Sequence, residues 1–518
     1  MKNIIIYLIF GLFFGTSNTA FSLEFPLPAS NFVKAKMPMH LVYPRPDNET
    51  QSHARHRWAH PSMKFEIPIG VQGGAWPFKY EIIEGPVGAV IGEYYGDTDY
   101  GSISWTPTDA SGTHAFKVRI TDQELNTVEA NWNVSIDSNQ FIFIQDGYTG
   151  NKVGTISEPL EDVVDWYKSD RNDKTYHNKI IVFRSGNYSL LGAASDNYNI
   201  RLNANSKTPS LIGYPNETAR VNASNAKILT DNGSLKDLFI AGIRWESSRQ
   251  DVNNAHFFWA VGDVTRSTWW NNYFYDHGPG IKGTDNTTAV FVSSTDVHKR
   301  NILYKNNIHD NFHNTGSNGS YVDMYYSSYV LIEGNSAKNS GNSYGFWAKG
   351  TTSFVSIRAN EAVNNITNGG VTVGYGSESP EVPFNHEVCW NRISFPRNNS
   401  APTTLKWAMS NSYGGNTYNS FIYRNTFVNG SAMVRFKGNE NYEVDANVVV
   451  SNNLNRWDTD IMTEANPSIT GDENAEITDQ TGKLVGNYRQ NYLGKMGFEI
   501  SDVEIVKVPK LPENSNVQ

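Results

Sequence analysis

Three times between residues 300 and 376 the chain writes one short pattern: apolar, any, apolar, any, any, Asn. Ile302, Tyr304 and Asn307 return as Val330, Ile332 and Asn335, then as Val355, Ile357 and Asn360, at spacings of 28 and 25 residues. Each set reads as a strand closed by a turn. Small polar residues and a Gly-rich stretch follow, and then a second strand at 321–327, 345–349 or 370–374. A strand that alternates must bury one face, and a repeat that cannot do so alone stacks on its neighbours. Asn suits the turn because it tolerates the left-handed region and its amide can bond to the next copy, so the ladder through Asn272, Asn307, Asn335, Asn360, Asn391, Asn425 and Asn447 is structural. The missing leucine consensus excludes a leucine-rich repeat, and the irregular period below 40 residues excludes a propeller.

Around this array the chain divides by pattern. A Lys-Asn start, an apolar run at 4–14 and small residues at Ala20 and Ser22 predict a signal peptide over 1–22; the run is too short for a membrane span. The protein is therefore expected to be secreted, extracellular or periplasmic, with no membrane association after cleavage. Residues 23–60 hold several prolines and the basic clump Arg55-His56-Arg57 and read as a leader or linker. Short alternating strands at 61–138 predict a small β-sandwich. The repeat domain spans 139–458, and 459–518 reads as a polar tail. One cysteine, Cys389, allows no internal disulfide, so the core alone holds the fold. A net charge of −9 argues against nucleic acid. With 13 Trp, 27 Tyr and 26 Phe beside abundant Asn and Gly, the composition suits a loop-rich β protein that handles a hydroxylated ligand. A monomer is expected.

The wording "GGAWPFKYEIIEGPVGAVI…GSISWTPTDASGTHAFKVRITD" resembles the immunoglobulin-like and cadherin-like modules appended to bacterial exported enzymes. From Phe141, Gly154-Thr155, Glu158-Pro159-Leu160, an amphipathic stretch at 163–167 and the strand 179–188 resemble the opening rung of the pectate-lyase-like superfamily. That resemblance covers roughly 141–455 and implies a right-handed parallel β-helix whose core is capped by a short helix. The expected fold class is thus all-β: a right-handed parallel β-helix preceded by a small Ig-like β-sandwich.

Alternation assigns faces to the second strand of each repeat. With Val322, Met324, Phe346 and Ala348 inward, Asp323, Tyr325, Trp347 and Lys349 point outward. Continuing the parity puts Lys406, Arg435 and Lys437 on the same face. The strip is aromatic and cationic on an acidic chain. Cations pair with carboxylate or sulfate and rings stack on sugars, which suits an anionic polysaccharide.

Elimination at a uronate needs a base for the C5 proton, a cation for the carboxylate-derived enolate and an acid for the leaving oxygen. Lys349 or Tyr325 is the candidate base. Arg435 or Lys406 would neutralise the carboxylate, and His313 would be a second acid or base. Trp347 and Lys437 would hold substrate, with His277 and Lys282 of "DHGPGIKGTDN" reaching over the same face. The segment "FWAKGTTSFVSIRANEAVNNITNGGVTVG" resembles coils of chondroitinase-B-like and alginate-lyase-like lyases, which carry a basic residue where Lys349 stands. They have Arg in the next rung, where this chain has Gly374-Tyr375. The resemblance brings calcium as a possible cofactor, although no acidic set for it is legible; metal ligands are unassigned. The rival reading is a glycoside hydrolase of a sulfated polysaccharide, with Asp323 paired to Asp276, Asp285, Asp296, Asp310, Glu378 or Glu381. A third is a non-catalytic carbohydrate-binding or adhesion protein.

Overall fold

The computed structural model describes residues 35–95, 97, 99–163, 179–189, 198–202, 210–222, 227–230, 233–246, 256–277, 288–294, 299–312, 319–338, 342–349, 352–362, 366–373 and 384–394, then short strands and adjoining residues as far as Ile505. The expected signal peptide and nearly all of the amphipathic stretch after Val163 lie outside these residues.

From Phe141 onward each complete coil lays one strand in each of three parallel sheets. The sheets hold twelve, eleven and ten strands, so the protein is a parallel β-helix. The first sheet runs from Phe141–Ile144 to Ser468–Thr470, the second from Gly186–Ser189 to Ala475–Thr478, and the third from Tyr198–Leu202 to Ala432–Phe436. The sequence pattern showed two strands per repeat. The additional one belongs to the second sheet and is short: Ile308–Phe312, Ser336–Lys338 and Glu361–Ala362 on successive coils. In its last two copies a single side chain, Ala337 or Ala362, turns into the core, which is too little alternation to read. Ser468–Thr470 and Ala475–Thr478 carry the first two sheets into the segment that reads as a polar tail.

The repeat residues stack as their spacing requires. Ile302, Val330 and Val355 are in register, as are Tyr304, Ile332 and Ile357, and all six are fully buried. A buried side chain of this size contributes about 1.5–3 kcal/mol. Between the first and second sheets the asparagines form a continuous ladder. The oxygen of Asn335 accepts from the backbone N–H and the amide of Asn307 at 2.9 and 3.1 Å. The same exchange joins Asn272 to Asn307, Asn335 to Asn360, Asn360 to Asn391 and Asn391 to Asn425.

One detail corrects the expected reason for asparagine. The left-handed residue is the one before it: Asn271, Asn306, Gly334, Ala359 and Trp390 have φ of 56°, 55°, 69°, 53° and 58°. Asn therefore serves this turn through its amide alone. The preceding position takes the strain, about 1–2 kcal/mol where a Cβ is present.

Residues 58–136 form two small sheets. One orders Trp58–Ala59, Thr127–Ile136, Gly112–Thr121 and Lys79–Glu84; the other orders Phe65–Pro68, Ser102–Trp105 and Val90–Ile91. They meet through rings, with Phe116 at 6.0 Å from Phe65 and 5.9 Å from Trp105. Strand His40–Tyr43 pairs antiparallel with Gly70–Gln72. These elements cover the outer face of the first helix sheet, and one apolar cluster joins Val71, Trp76 and Tyr80 to Phe239, Trp270, Leu303 and Leu331.

Along that face one column changes character, from Ala241 and Trp270 to Lys305, Glu333 and Arg358. Glu333 binds Lys305 at 2.8 Å and Arg358 at 2.6 Å, with all three side chains at most 1% exposed. Lys305 also donates to the Ile69 carbonyl at 3.1 Å, and Arg358 donates to the carbonyls of Gly73 and Val71. Buried charges require such pairing.

Candidate functional site

The third sheet builds the face that the sequence singled out. Phe258, Val290, Val322, Phe346 and Val371 share one column, and Ala260, Val292, Met324, Ala348 and Val373 another; all lie in the core cluster. Between these columns the opposite parity runs Trp259, Phe291, Asp323, Trp347, Thr372, Ser410 and Arg435. A neighbouring column runs Val261, Ser293, Tyr325 and Lys349. Adjacent strands lie about 4.8 Å apart, so Tyr325 and Lys349 are next neighbours across one coil, and so are Asp323 and Trp347.

Asp323 and Trp347 stay outside the core cluster, yet they are only 2% and 4% exposed. The expected open strip is therefore covered at its centre. Asp323 stands in register between Phe291 and Trp347, and bulky rings one strand spacing away on either side leave little of it to water. Tyr325 is half-buried. Its ring centroid lies 5.3 Å from that of Phe291, which in turn lies 5.1 Å from the ring of His256. His256 contacts the Thr288 hydroxyl at 2.8 Å. The result is an aromatic patch across three coils, flanking a withdrawn carboxylate. Phe291, Trp259 and His256 escaped sequence reading because their strands, His256–Thr265 and Thr288–Ser294, lie before the clear repeats; the alternation of the first, HFFWAVGDVT, is the signal that could have found Trp259.

The other expected site residues fall as follows. Arg435 lies on Ala432–Phe436, in register with Ser410 and so with the column of Asp323. Lys349 ends the strand Asn342–Lys349. His277 ends Tyr273–His277, which belongs to the second sheet, where it is in register with Phe312 rather than with the third-sheet columns. His313, Lys282, Lys406 and Lys437 lie outside the described residues. Among the acids of the rival reading, Asp276 and Asp310 also belong to the second sheet, whereas Asp323 belongs to the third. Asp285, Asp296, Glu378 and Glu381 lie outside the described residues.

The second sheet carries its own polar cluster. Tyr273 donates to the Asp310 carboxylate; burial and this bond push the Tyr273 phenol above its usual range. The Arg244 guanidinium lies 4.5 and 4.4 Å from the ring centroids of Tyr273 and Tyr275. His309 of the same sheet points into the core, fully buried and stacked on Phe274. Among the described residues no group of three His, Cys, Asp or Glu side chains stands together as metal ligands. Among the same residues no helix is long and apolar enough to cross a membrane.

No family model and no curated protein matches the chain. Among solved structures it is similar to the tailspike protein of E. coli bacteriophage HK620 in complex with pentasaccharide, at 12% identity and a TM-score of 0.40, over 62% of this chain and 63% of that one. It is also similar to a Yersinia enterocolitica family 28 exopolygalacturonase, at 11% identity and a TM-score of 0.23, over 74% of this chain and 86% of that one. The chain thus spans 63% of the tailspike chain. At these scores the likenesses carry no functional argument, and the fold rests on the sheet topology.

Proposed function

We propose that this protein is a secreted depolymerase of an acidic polysaccharide, acting by β-elimination on the outer face of the third sheet. The observation that carries the reading is the adjoining pair of columns, with Tyr325 beside Lys349 and with Phe291, Asp323 and Trp347 aligned next to them. Aromatic side chains give a sugar ring a stacking surface. The only carboxylate that the described part of these two columns holds is Asp323, which favours elimination over a hydrolysis that needs two.

In the proposed reaction Lys349 or Tyr325 takes the C5 proton of a uronate, and Arg435 or Lys406 neutralises the carboxylate while charge moves onto it. The C4–O4 bond breaks as the C4=C5 double bond forms. A proton delivered by the Tyr325 hydroxyl or by His313 completes the departing alcohol. Residues 1–22 would direct export, and the two sheets of 58–136 would be an immunoglobulin-like or cadherin-like module.

The test is incubation with uronate-containing and sulfated glycans, following ultraviolet absorbance of unsaturated product together with reducing ends. Both signals rising supports elimination. Reducing ends alone would make the protein a hydrolase, and binding without turnover would leave a carbohydrate-binding protein. Lys349→Ala is expected to reduce turnover by at least about 100-fold with an unchanged unfolding curve; near-wild-type activity would remove Lys349 from the site.

A further inference from the structure

The segment 40–60 holds four of the chain's 12 histidines, His40, His53, His56 and His60, and no role in the third-sheet site accounts for them. The segment lies on the β-helix. Nε2 of His40 contacts Oδ1 of Asn301 at 2.7 Å, the Gln51 backbone N–H donates to the Asp237 carboxylate at 2.9 Å, and Tyr43 packs 5.7 Å from Phe239. His60 sets its ring edge-on between Phe141 and Phe143, at 5.4 and 5.1 Å, against the first strand of the coil. His56 lies edge-on to Tyr43 at 5.5 Å. Both are nearly sealed, at 1% exposure for His56 and 4% for His60.

We propose that this histidine-rich strap is an acid-sensitive latch, which holds the N-terminal sheets on the β-helix at neutral pH and releases as its imidazoles take up protons. The geometry supplies the reason. His60 meets two phenylalanine rings, which offer no anion to an imidazolium. His56 is faced by Arg55 and Arg57 from its own turn, by Arg266 from the helix, by the Arg45 backbone and by Tyr43. The nearby carboxylate, Asp237, is already held by Arg266 at 2.8 Å. A proton on His56 would add a positive charge to three arginines in a site shut off from water.

The direction of linkage follows. Burial, with the field of Arg57, Arg55 and Arg266, pulls His56 down to about 3, and burial also lowers His60. A released strap would titrate near 6.5. Between these limits the released state binds more protons, so the docked state loses stability as pH falls below about 6.5.

The experiment is amide hydrogen exchange on the full chain at pH 7.5 and pH 5, corrected for intrinsic exchange. Strands His40–Tyr43 and Trp58–Ala59 are expected to lose protection at least tenfold at pH 5, while Val322–Tyr325 and Ser328–Glu333 keep theirs. The double variant His56→Phe/His60→Phe should hold its strap protection at both pH values. Arg57→Gln, a change at a half-buried site that removes one repelling charge, should move the wild-type loss to lower pH. Equal strap protection at the two pH values in the wild type would overturn the latch, as would an undiminished loss in the double variant or uniform loss across the helix.

Discussion

The side-chain amide of Asn335 donates to the Tyr304 carbonyl at 3.1 Å and to Asn360 at 2.9 Å, while its oxygen accepts twice from Asn307. Removing it strands buried groups on both neighbouring coils. Asn335→Ala should therefore cost about 3–5 kcal/mol in urea unfolding. Asn306→Gly, one position before the ladder and at φ 55°, should stay within about 1 kcal/mol. The pair separates the two reasons for asparagine that the sequence left together.

A second test at this scale is His386, which continues the buried column of Ile302, Val330 and Val355. Burial pulls its imidazole down to about 4, so the unfolded chain takes a proton near pH 6.5 before the folded one does. Its contribution is fully present above about pH 6.5 and is lost as pH falls toward 4, by up to about 3 kcal/mol. His386→Val, matching the column, should flatten this part of the pH dependence of the urea midpoint.

At the scale of elements, the strand Gly70–Gln72 lies against a charged stretch of the first sheet because Glu333 bridges Lys305 and Arg358, Glu387 faces Arg358, and the two cations bond to its backbone and that of its neighbours. Arg358→Ala leaves Glu333 with one cation, removes the arginine facing Glu387, and orphans two carbonyls; it should cost about 3–5 kcal/mol, read from urea unfolding. Replacing the network together as Lys305→Met/Glu333→Leu/Arg358→Met/Glu387→Gln should cost less than the single change, because no charge is left buried alone. This network was not legible in sequence. Lys305, Glu333 and Arg358 each end an apolar strand, where a charge reads as the edge of a turn.

For the whole molecule, one apolar cluster spans the N-terminal sheets and the outer face of the first helix sheet. A chain starting at residue 139 would expose Phe239, Trp270, Leu303 and Leu331 beside unshielded charges. It is expected to aggregate on size-exclusion chromatography under conditions where the full chain does not. The candidate site depends on the same distinction between direction and cover. Alternation told that Asp323 and Trp347 leave the core, and register confirms their column. It could not tell that both are closed off from water, nor that His277 belongs to another sheet.

The sequence by itself determined the coil, its inward columns and its asparagine ladder, since each copy meets a near-copy of itself and local periodicity states what the contact will be. Only the tertiary structure decided the third strand, the cover over Asp323 and the docking of 40–136 on the first sheet. Those depend on unlike residues up to nearly 290 positions apart, such as Val71 and Arg358, and no local pattern encodes what will lie across an outward face.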